Sequence, residues 1–331
     1  MSGRRVVVTQ RFFDDDTIGY LNANGCEVVI ADLLPGMADG GLDHDKLVTM
    51  LDGASGWIVG HARVTRDLMA ALPELQVISR RGVGYERVDL EAARDLGRVV
   101  CIAVGGNDAT VADHAVALML AVGHRFRETQ ERMIAGDFTI LTGNDLFEKT
   151  VGIVGMGRIG RSLAKRLQGF DCRILAASRG GAAEDMPPNV EAVGLDTLVR
   201  ESDYISIHAP LTDATRFLFD ATRIAQMKPS AYLINTARGG LVDDAALLEA
   251  LHNGVIAGAG LDVYVSESDP AMQEVTGALI RLPNVIATPH SGASTHEGLA
   301  RTNMVAARSV VAVLNGGDPR PECVVADGRR R

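Results

Sequence analysis

Residues 149–160 read KTVGIVGMGRIG, and this stretch decides the fold. TVGIVG is a short β-branched run of the kind that forms a buried strand, and it leads straight into Gly155-Met156-Gly157-Arg158-Ile159-Gly160. The glycines stand at GxGxxG spacing. RIGRSLAKRLQ follows with a helical pattern that stops at Gly169, and CRILAAS is the next strand candidate. In such a unit the first glycine permits the tight turn, the second lets the backbone approach a pyrophosphate, and the third lets the helix pack on the strand. The helix N-terminus then faces the anion with free N–H groups and a favourable dipole. Alone, this spacing also occurs in glycine turns that bind nothing; between a strand and a helix it points to a dinucleotide.

Outward from this unit the strand–helix rhythm continues with CRILAAS, DYISIHA, SAYLINTA, GAGLDV and NVIATPH. A similar series precedes it: RRVVVT, CEVVIAD, SGWIVG, LQVISRR and GRVVCIA, separated by helical segments such as DHDKLVTML, TRDLMAALPE and DLEAARDLG. Alternation at this spacing implies right-handed βαβ units, so the chain is read as α/β with two doubly wound parallel-sheet domains. Residues 109–137 predict one long helical connector with an apolar beginning and a charged end, HRFRETQERM. A further helix is predicted after His290, with Gly316-Gly317 as its stop.

The 331 residues suit about two domains, and 47% hydrophobic content supplies two cores. A net charge of -9 argues against a nucleic-acid partner, because phosphate backbones are bound through clustered Lys and Arg. Arg329-Arg330-Arg331 reads as a solvated tail. Cys26, Cys101, Cys172 and Cys323 form no CxxC pair, so neither a zinc site nor a disulfide framework is expected, and a cytoplasmic location is the default. The N-terminus lacks the apolar stretch of a signal peptide, and no run reaches the ~20 residues that span a bilayer.

Three later strands end in reactive side chains. Arg238 follows SAYLINTA, Asp262 ends GAGLD with Glu267 five residues on, and His290 ends NVIATPH. In open parallel sheets ligands bind outside the carboxyl ends of the strands, the face that the glycine loop also lines. Each residue alone has a plain structural reading as a surface cation, a turn cap or a satisfied histidine. Together an arginine, two carboxylates and a histidine supply the parts that hydride transfer to a carbonyl needs.

The sequence resembles the D-isomer-specific 2-hydroxyacid dehydrogenases, a family that includes phosphoglycerate dehydrogenase, glyoxylate and hydroxypyruvate reductases, and formate dehydrogenase. GIVGMGRIG, HAPLTDATRFLF, INTARGGLVDDAALLEAL, GAGLDVY and TPHSGAST carry the likeness, and RRGVGYERVDLEAARDLG and NDATVADHAVALML extend it across nearly the whole chain. The resemblance implies a discontinuous, flavodoxin-like substrate domain (residues 1–105 and 291–331), a Rossmann cofactor domain (106–290), a cleft between them, and a homodimer built on the cofactor domain. By the same likeness Arg238 binds the substrate carboxylate and polarises its keto oxygen, His290 donates the proton, Glu267 pairs with His290, and Asp262 holds the nicotinamide end. Backbone N–H groups of Val83 and Gly84 would meet the substrate carboxylate. Val83, Arg158, Ile159, Ala209, Pro210, Thr236 and Ala237 fall at cofactor-contacting positions beside Gly155, Gly157 and Gly160. Asn107 and Thr110 lie where the family approaches substrate and cofactor. His114 stands in VADH, where the family usually has Glu in place of Asp113; a buried structural pair is the competing reading there.

Glu267 stands where formate dehydrogenase has glutamine, which favours carbonyl reduction. The phosphate-binding arginine of phosphoglycerate dehydrogenase is replaced by Gly60-His61, which favours a small unphosphorylated acid such as hydroxypyruvate or glyoxylate, although His61, Arg63 or Arg80 could compensate. Phosphoglycerate dehydrogenase without a regulatory domain and an NAD(H)-sensing corepressor-like protein stay as alternatives. In ILAASRGG, Ser178 sits 18 residues after Gly160, where an NAD-specific fold places an acid against the ribose hydroxyls. A carboxylate would repel a 2′-phosphate; Ser178 does not and Arg179 can pair with it, so NADPH is expected to be favoured over NADH.

Overall fold

The computed structural model describes residues 4–33, 38–178 and 186–329. The chain divides into two compact units, Met1–Asn107 with Thr295–Arg331, and Asp108–Ser294.

The first unit is built on β1 (Arg4–Val8), β2 (Cys26–Ile30), β3 (Gly56–Val59), β4 (Val77–Arg80) and β5 (Val99–Ile102), which run parallel in the order β5-β4-β3-β1-β2. That is the flavodoxin-like order. Every residue of β3, β4 and β5 is buried, as sheets covered on both faces require. The helices α1 (Asp15–Ala23), α2 (His44–Leu51), α3 (Arg66–Ala71) and α4 (Leu90–Asp95) start where Asp14, Asp43, Thr65 and Asp89 accept amides of the first turn.

Two elements come from the far end of the chain. Helix α12 (His296–Leu314) starts at the Thr295 cap, ends at Asn315, and packs on β3, β4, β5 and α1. Gly56 lets it come close, since a Cβ there would lie 2.9 Å from Val310 Cγ1. Strand β13 (Val324–Asp327), which the sequence reading did not find, pairs antiparallel with β5 at the sheet edge. It is four residues long, and only Ala326 is fully buried, so it lacks the apolar run that marks a central strand. Arg329 is not a loose end: it donates to Gly317 O and to the carboxylates of Asp318 and Asp327. Arg330 and Arg331 lie outside the described residues.

The second unit carries β6 (Thr150–Val154), β7 (Arg173–Ala177), β8 (Val190–Ala192), β9 (Tyr204–Ile207), β10 (Tyr232–Asn235), β11 (Gly258–Leu261) and β12 (Val285–Ala287). They are parallel in the order β8-β7-β6-β9-β10-β11-β12, so the strand order reverses at β6. This is the Rossmann arrangement, with its ligand crevice at that reversal. β8 also escaped the sequence reading; it is a three-residue edge strand of which only Val190 is buried.

The helices of this unit are α5 (Asp108–Gly123), α6 (Phe126–Ile134), α7 (Arg158–Leu167), α8 (Leu195–Glu201), α9 (Ala221–Ile224), α10 (Asp244–His252) and α11 (Gln273–Leu279). The single connector expected over residues 109–137 is therefore two helices. At the break a Cβ on Gly123 would meet Tyr204 Oη at 2.4 Å and Asn144 O at 2.9 Å, and Arg125 turns left-handed at φ 55°. The Arg125 guanidinium donates to Glu128, three residues ahead in the first turn of α6. Among the described residues, no helix is long and apolar enough to cross a membrane.

Candidate active site

The glycine loop joins β6 to α7. Gly155 has φ 103°, and a Cβ on it would lie 2.7 Å from His208 O; a Cβ on Gly160 would lie 2.2 Å from Gly155 O. Both positions therefore exclude side chains, the first for turn conformation and the third for helix–strand packing. Gly157, between them, faces open space. It is also the N-cap of α7, without a side-chain bond to the first amides and without an acid in the first turn. A pyrophosphate fits this end: unclaimed N–H groups, a positive dipole end and exposed Arg158 converge on an open glycine. Ile159 packs partly buried behind them.

The remaining strands of the sheet add to the same edge. Ser178 follows β7 and is exposed; Arg179 lies outside the described residues. Ala209 and Pro210 follow β9, directly after His208, whose ring burial pushes down to about 4 and so keeps neutral at pH 7. Thr236 and Ala237 follow β10. Thr236 Oγ1 is buried and has no hydrogen-bond partner among the described residues, an unsatisfied group of the sort a bound ligand satisfies.

Arg238, Asp262 and His290 follow β10, β11 and β12, three adjacent parallel strands. The Asn235 side chain folds the first of these loops, donating to Arg238 O at 2.9 Å and accepting from Ala237 N at 3.1 Å. Gly239 brings that loop against the next one, because a Cβ would lie 2.1 Å from the Tyr264 backbone. Glu267 sits on a 3-10 turn (Val265–Glu267) and uses both oxygens: Oε1 accepts from Tyr264 N at 2.9 Å, and Oε2 lies 2.6 Å from His290 Nδ1. Glutamate and histidine are thus a preset pair, both more than a third exposed at the sheet's ligand edge.

Asp262 is 1% exposed. Its Oδ1 accepts from Thr288 Oγ1 at 2.6 Å and Ser291 N at 2.8 Å, its Oδ2 from Gly292 N at 2.9 Å, and its backbone oxygen from His290 N at 2.7 Å. Burial pushes this carboxyl up, yet donation from His114, Thr288, Ser291 and Gly292 outweighs burial and holds it below the usual carboxylate range.

Comparison with known proteins agrees with this geometry. A profile of the D-isomer specific 2-hydroxyacid dehydrogenase NAD-binding domain matches residues 116–292, more than half of the chain. The chain belongs to this family. It is 38% identical over 266 residues to a hydroxypyruvate reductase of Thermotoga maritima, covering 80% of this chain and 86% of that one. With a glyoxylate reductase of Thermofilum pendens it shares 41% over 265 residues, covering 78% and 77%. Among solved structures, the NAD-complexed D-isomer specific 2-hydroxyacid dehydrogenase of Lactobacillus delbrueckii ssp. bulgaricus superposes with a TM-score of 0.80 at 26% identity, covering 97% and 99%. The protein is accordingly a nicotinamide-dependent oxidoreductase acting on the CH–OH group of 2-hydroxy acids.

Several residues that support the candidate positions within each unit carry no motif of their own. Asp244, at the start of α10, accepts from Val265 N at 2.9 Å and so holds the turn that presents Glu267; burial pushes its carboxyl up to about 6. Tyr264 donates its hydroxyl to Leu261 O and Thr288 O, tying the loops after β11 and β12 together. In the first unit Val83 and Gly84 follow β4, where Arg80 Nε donates to Gly84 O at 2.8 Å. In the same unit buried Asp39 accepts from Thr9 Oγ1 at 2.9 Å and from the amides of Gly60 and His61, each at 2.7 Å. The sequence carries no signal for this brace beyond an aspartate before two glycines, which reads as an ordinary turn.

Proposed function

We propose that the dehydrogenase reduces a small unphosphorylated 2-keto acid, hydroxypyruvate or glyoxylate, with NADPH favoured over NADH. The carrying observation is the His290–Glu267 pair set beside the loops of Arg238 and Asp262 at the ligand edge of a dinucleotide-type sheet. The cofactor would be held by Gly155, Gly157, Arg158, Ile159 and Gly160 at its pyrophosphate, by Ser178 and Arg179 at the adenosine ribose, and by Ala209, Pro210, Thr236, Ala237 and Asp262 towards the nicotinamide. When bound in reduced form it supplies the hydride that the keto carbon receives.

The protein's own groups do the rest. Arg238 grips the carboxylate with a planar fork that is always charged, and it polarises the keto oxygen. Val83 and Gly84 are assigned backbone contacts to the same carboxylate. Glu267 holds His290 Nδ1, which makes Nε2 the nitrogen that gives its proton to the oxygen as the C=O bond becomes CH–O. The carboxylate on the far nitrogen fixes the orientation of the ring.

The size of the acid follows from the first unit. Gly60 stands where the phosphate-binding arginine would be, and Gln10 fills the space a side chain would need, 1.8 Å from an added Cβ. The Asp39 carboxylate already takes the amides of Gly60 and His61, so neither is available to hold a phosphate at that loop. For the cofactor, Ser178 is exposed and uncharged at the end of β7, so its side chain does not repel a 2′-phosphate. A hydrogen bond to a charged group contributes roughly 1.5–3 kcal/mol, which corresponds to an NADPH preference of about ten- to a hundredfold.

The test is an absorbance assay of glyoxylate, hydroxypyruvate and phosphohydroxypyruvate, each with NADH and NADPH, repeated with Ser178→Asp. Expected are turnover of the first two acids, higher kcat/KM with NADPH, and reversal of that preference in the variant. No turnover with any keto acid would promote a dinucleotide sensor, preference for the phosphorylated acid would promote phosphoglycerate dehydrogenase, and preference for NADH would overturn the reading of Ser178. We further propose a homodimer in a reducing cytoplasm. Phe126, Met133, Ile134, Phe138 and Ile140 expose an apolar face along and after α6, and the four cysteines are free thiols. Sedimentation at about twice the chain mass, and at the chain mass for Ile134→Glu, is the expected result.

A further inference from the structure

The loop that carries His290 is held by a hydrogen-bond chain whose direction can be derived. Thr288 Oγ1 owns one proton and has three polar neighbours, Asp262 Oδ1 at 2.6 Å, His114 Nε2 at 3.0 Å and, more distant at 3.5 Å, Leu261 O, a carbonyl that can only accept. Asp262 is an ionised carboxylate and accepts only. The threonine proton therefore points to Asp262, and the oxygen accepts from His114, whose Nε2 must carry a hydrogen in either charge state. Its neutral tautomer is thus assigned by its partners. The same nitrogen lies 3.5 Å from Asp262 Oδ1, a second acceptor that demands the same proton.

The chain ends on the catalytic loop. Asp262 collects Thr288 Oγ1, Ser291 N and Gly292 N on its side chain and His290 N on its backbone oxygen, so its donors bracket His290 on both sides. His290 needs that bracket because it sits in the left-handed region, at φ 52°, which a residue with a Cβ adopts only when its surroundings impose it. Gly292 confirms how closely the parts fit: a Cβ there would lie 2.8 Å from Asp262 Oδ2 and 3.3 Å from His114 Cδ2. α5 supplies the rigid base, packed on β10, β11 and β12.

We propose that His114 and Thr288 are positioning residues for the proton donor, passing the rigidity of α5 through Asp262 to the His290 backbone. This rests on the reading of His290 as the proton donor. Asp262 then acts first on the loop, whatever it contributes to the cofactor. A misplacement of about 1 Å costs up to about a hundredfold in rate, so Thr288→Val is expected to lower kcat by about 10- to 100-fold. KM for the keto acid and Kd for the reduced cofactor should stay within about twofold, and Thr288→Ser, which keeps the hydroxyl, should recover kcat to within about threefold. His114→Phe keeps the ring and removes the donor; it should lower kcat in the same direction and stands in if Thr288→Val does not fold.

A readout without turnover completes the experiment. In protein labelled with 15N-histidine, the His114 ring should show a protonated Nε2, and its neutral form should be the Nε2–H tautomer. Wild-type kcat in both Thr288→Val and His114→Phe, a serine variant no better than valine, a loss confined to cofactor Kd, or an Nδ1–H tautomer would each overturn the proposal. His290→Ala is measured alongside. Full activity there would sink the proton-donor reading itself, while the tautomer would still report on the chain.

Discussion

Replacing His290 with alanine is expected to lower kcat by about 10²- to 10⁴-fold, the range that positioned general acids contribute, and to leave cofactor Kd within about twofold. The split follows from geometry. His290 meets Glu267 through Nδ1, so the ring delivers its proton from the other nitrogen, and the loop is held by Asp262 through backbone amides that alanine keeps. The left-handed backbone complicates the alanine result, since strain of order 1 kcal/mol is relieved if the loop moves. Asparagine tolerates that region and cannot act as an acid, so His290→Asn should match alanine in kcat. Parallel titrations and steady-state assays decide it. Loss of cofactor binding in both variants would make the histidine structural.

Arg238→Lys should be nearly as damaging despite keeping the charge. Lysine loses the paired donors, and each hydrogen bond to a charged group is worth about 1.5–3 kcal/mol, so kcat/KM for the keto acid should fall by about 10- to 100-fold per lost bond. An ammonium is a point charge that cannot hold a carboxylate with two parallel donors while also reaching the keto oxygen. The backbone gives lysine no room to adapt, because the Asn235 side chain ties down Ala237 and Arg238, and Gly239 lies against the Tyr264 chain. The decisive comparison uses a carbonyl compound of similar size without the carboxylate. The wild-type advantage should shrink sharply with that compound; an equal loss for both substrates would mean that Arg238 does not read the acid.

Most of the site was legible because its chemistry coincides with strand ends. Arg238, Asp262, Glu267 and His290 stand just past apolar runs, and an apolar run that stops at a reactive side chain can be recognised without coordinates. The supports were not legible. Thr288 sits two residues before His290 and Asp244 at the start of a helix, and a threonine and an aspartate in such places are ordinary for turns and caps. Asp39 stands 21 residues before the Gly60 amide it braces. His114 was weighed as a buried structural pair or a site residue; its ring lies against Thr288 and Asp262, so both descriptions meet in one chain of bonds. Arg179, on which part of the NADPH argument rests, falls outside the described residues.

Local pattern alone determined the α/β class, the glycine loop and most strands, because β-branched runs, glycine spacing and helical periodicity express short-range sterics. It failed at β8 and β13, which are short, sit at sheet edges and bury too little to show an apolar run, and at the break after Gly123, where Tyr204 and Asn144 crowd the helix from elsewhere in the chain. The resemblance implied that the segment of α12 joins the first five strands and that Glu267 pairs with His290; tertiary structure alone set the 2.6 Å contact of Glu267 Oε2 with His290 Nδ1 and committed the Asp262 carboxylate to the histidine loop. These are contacts between segments far apart in the chain. Periodicity says which face of an element is buried, whereas the partner of that face is set by how strands order and helices pack.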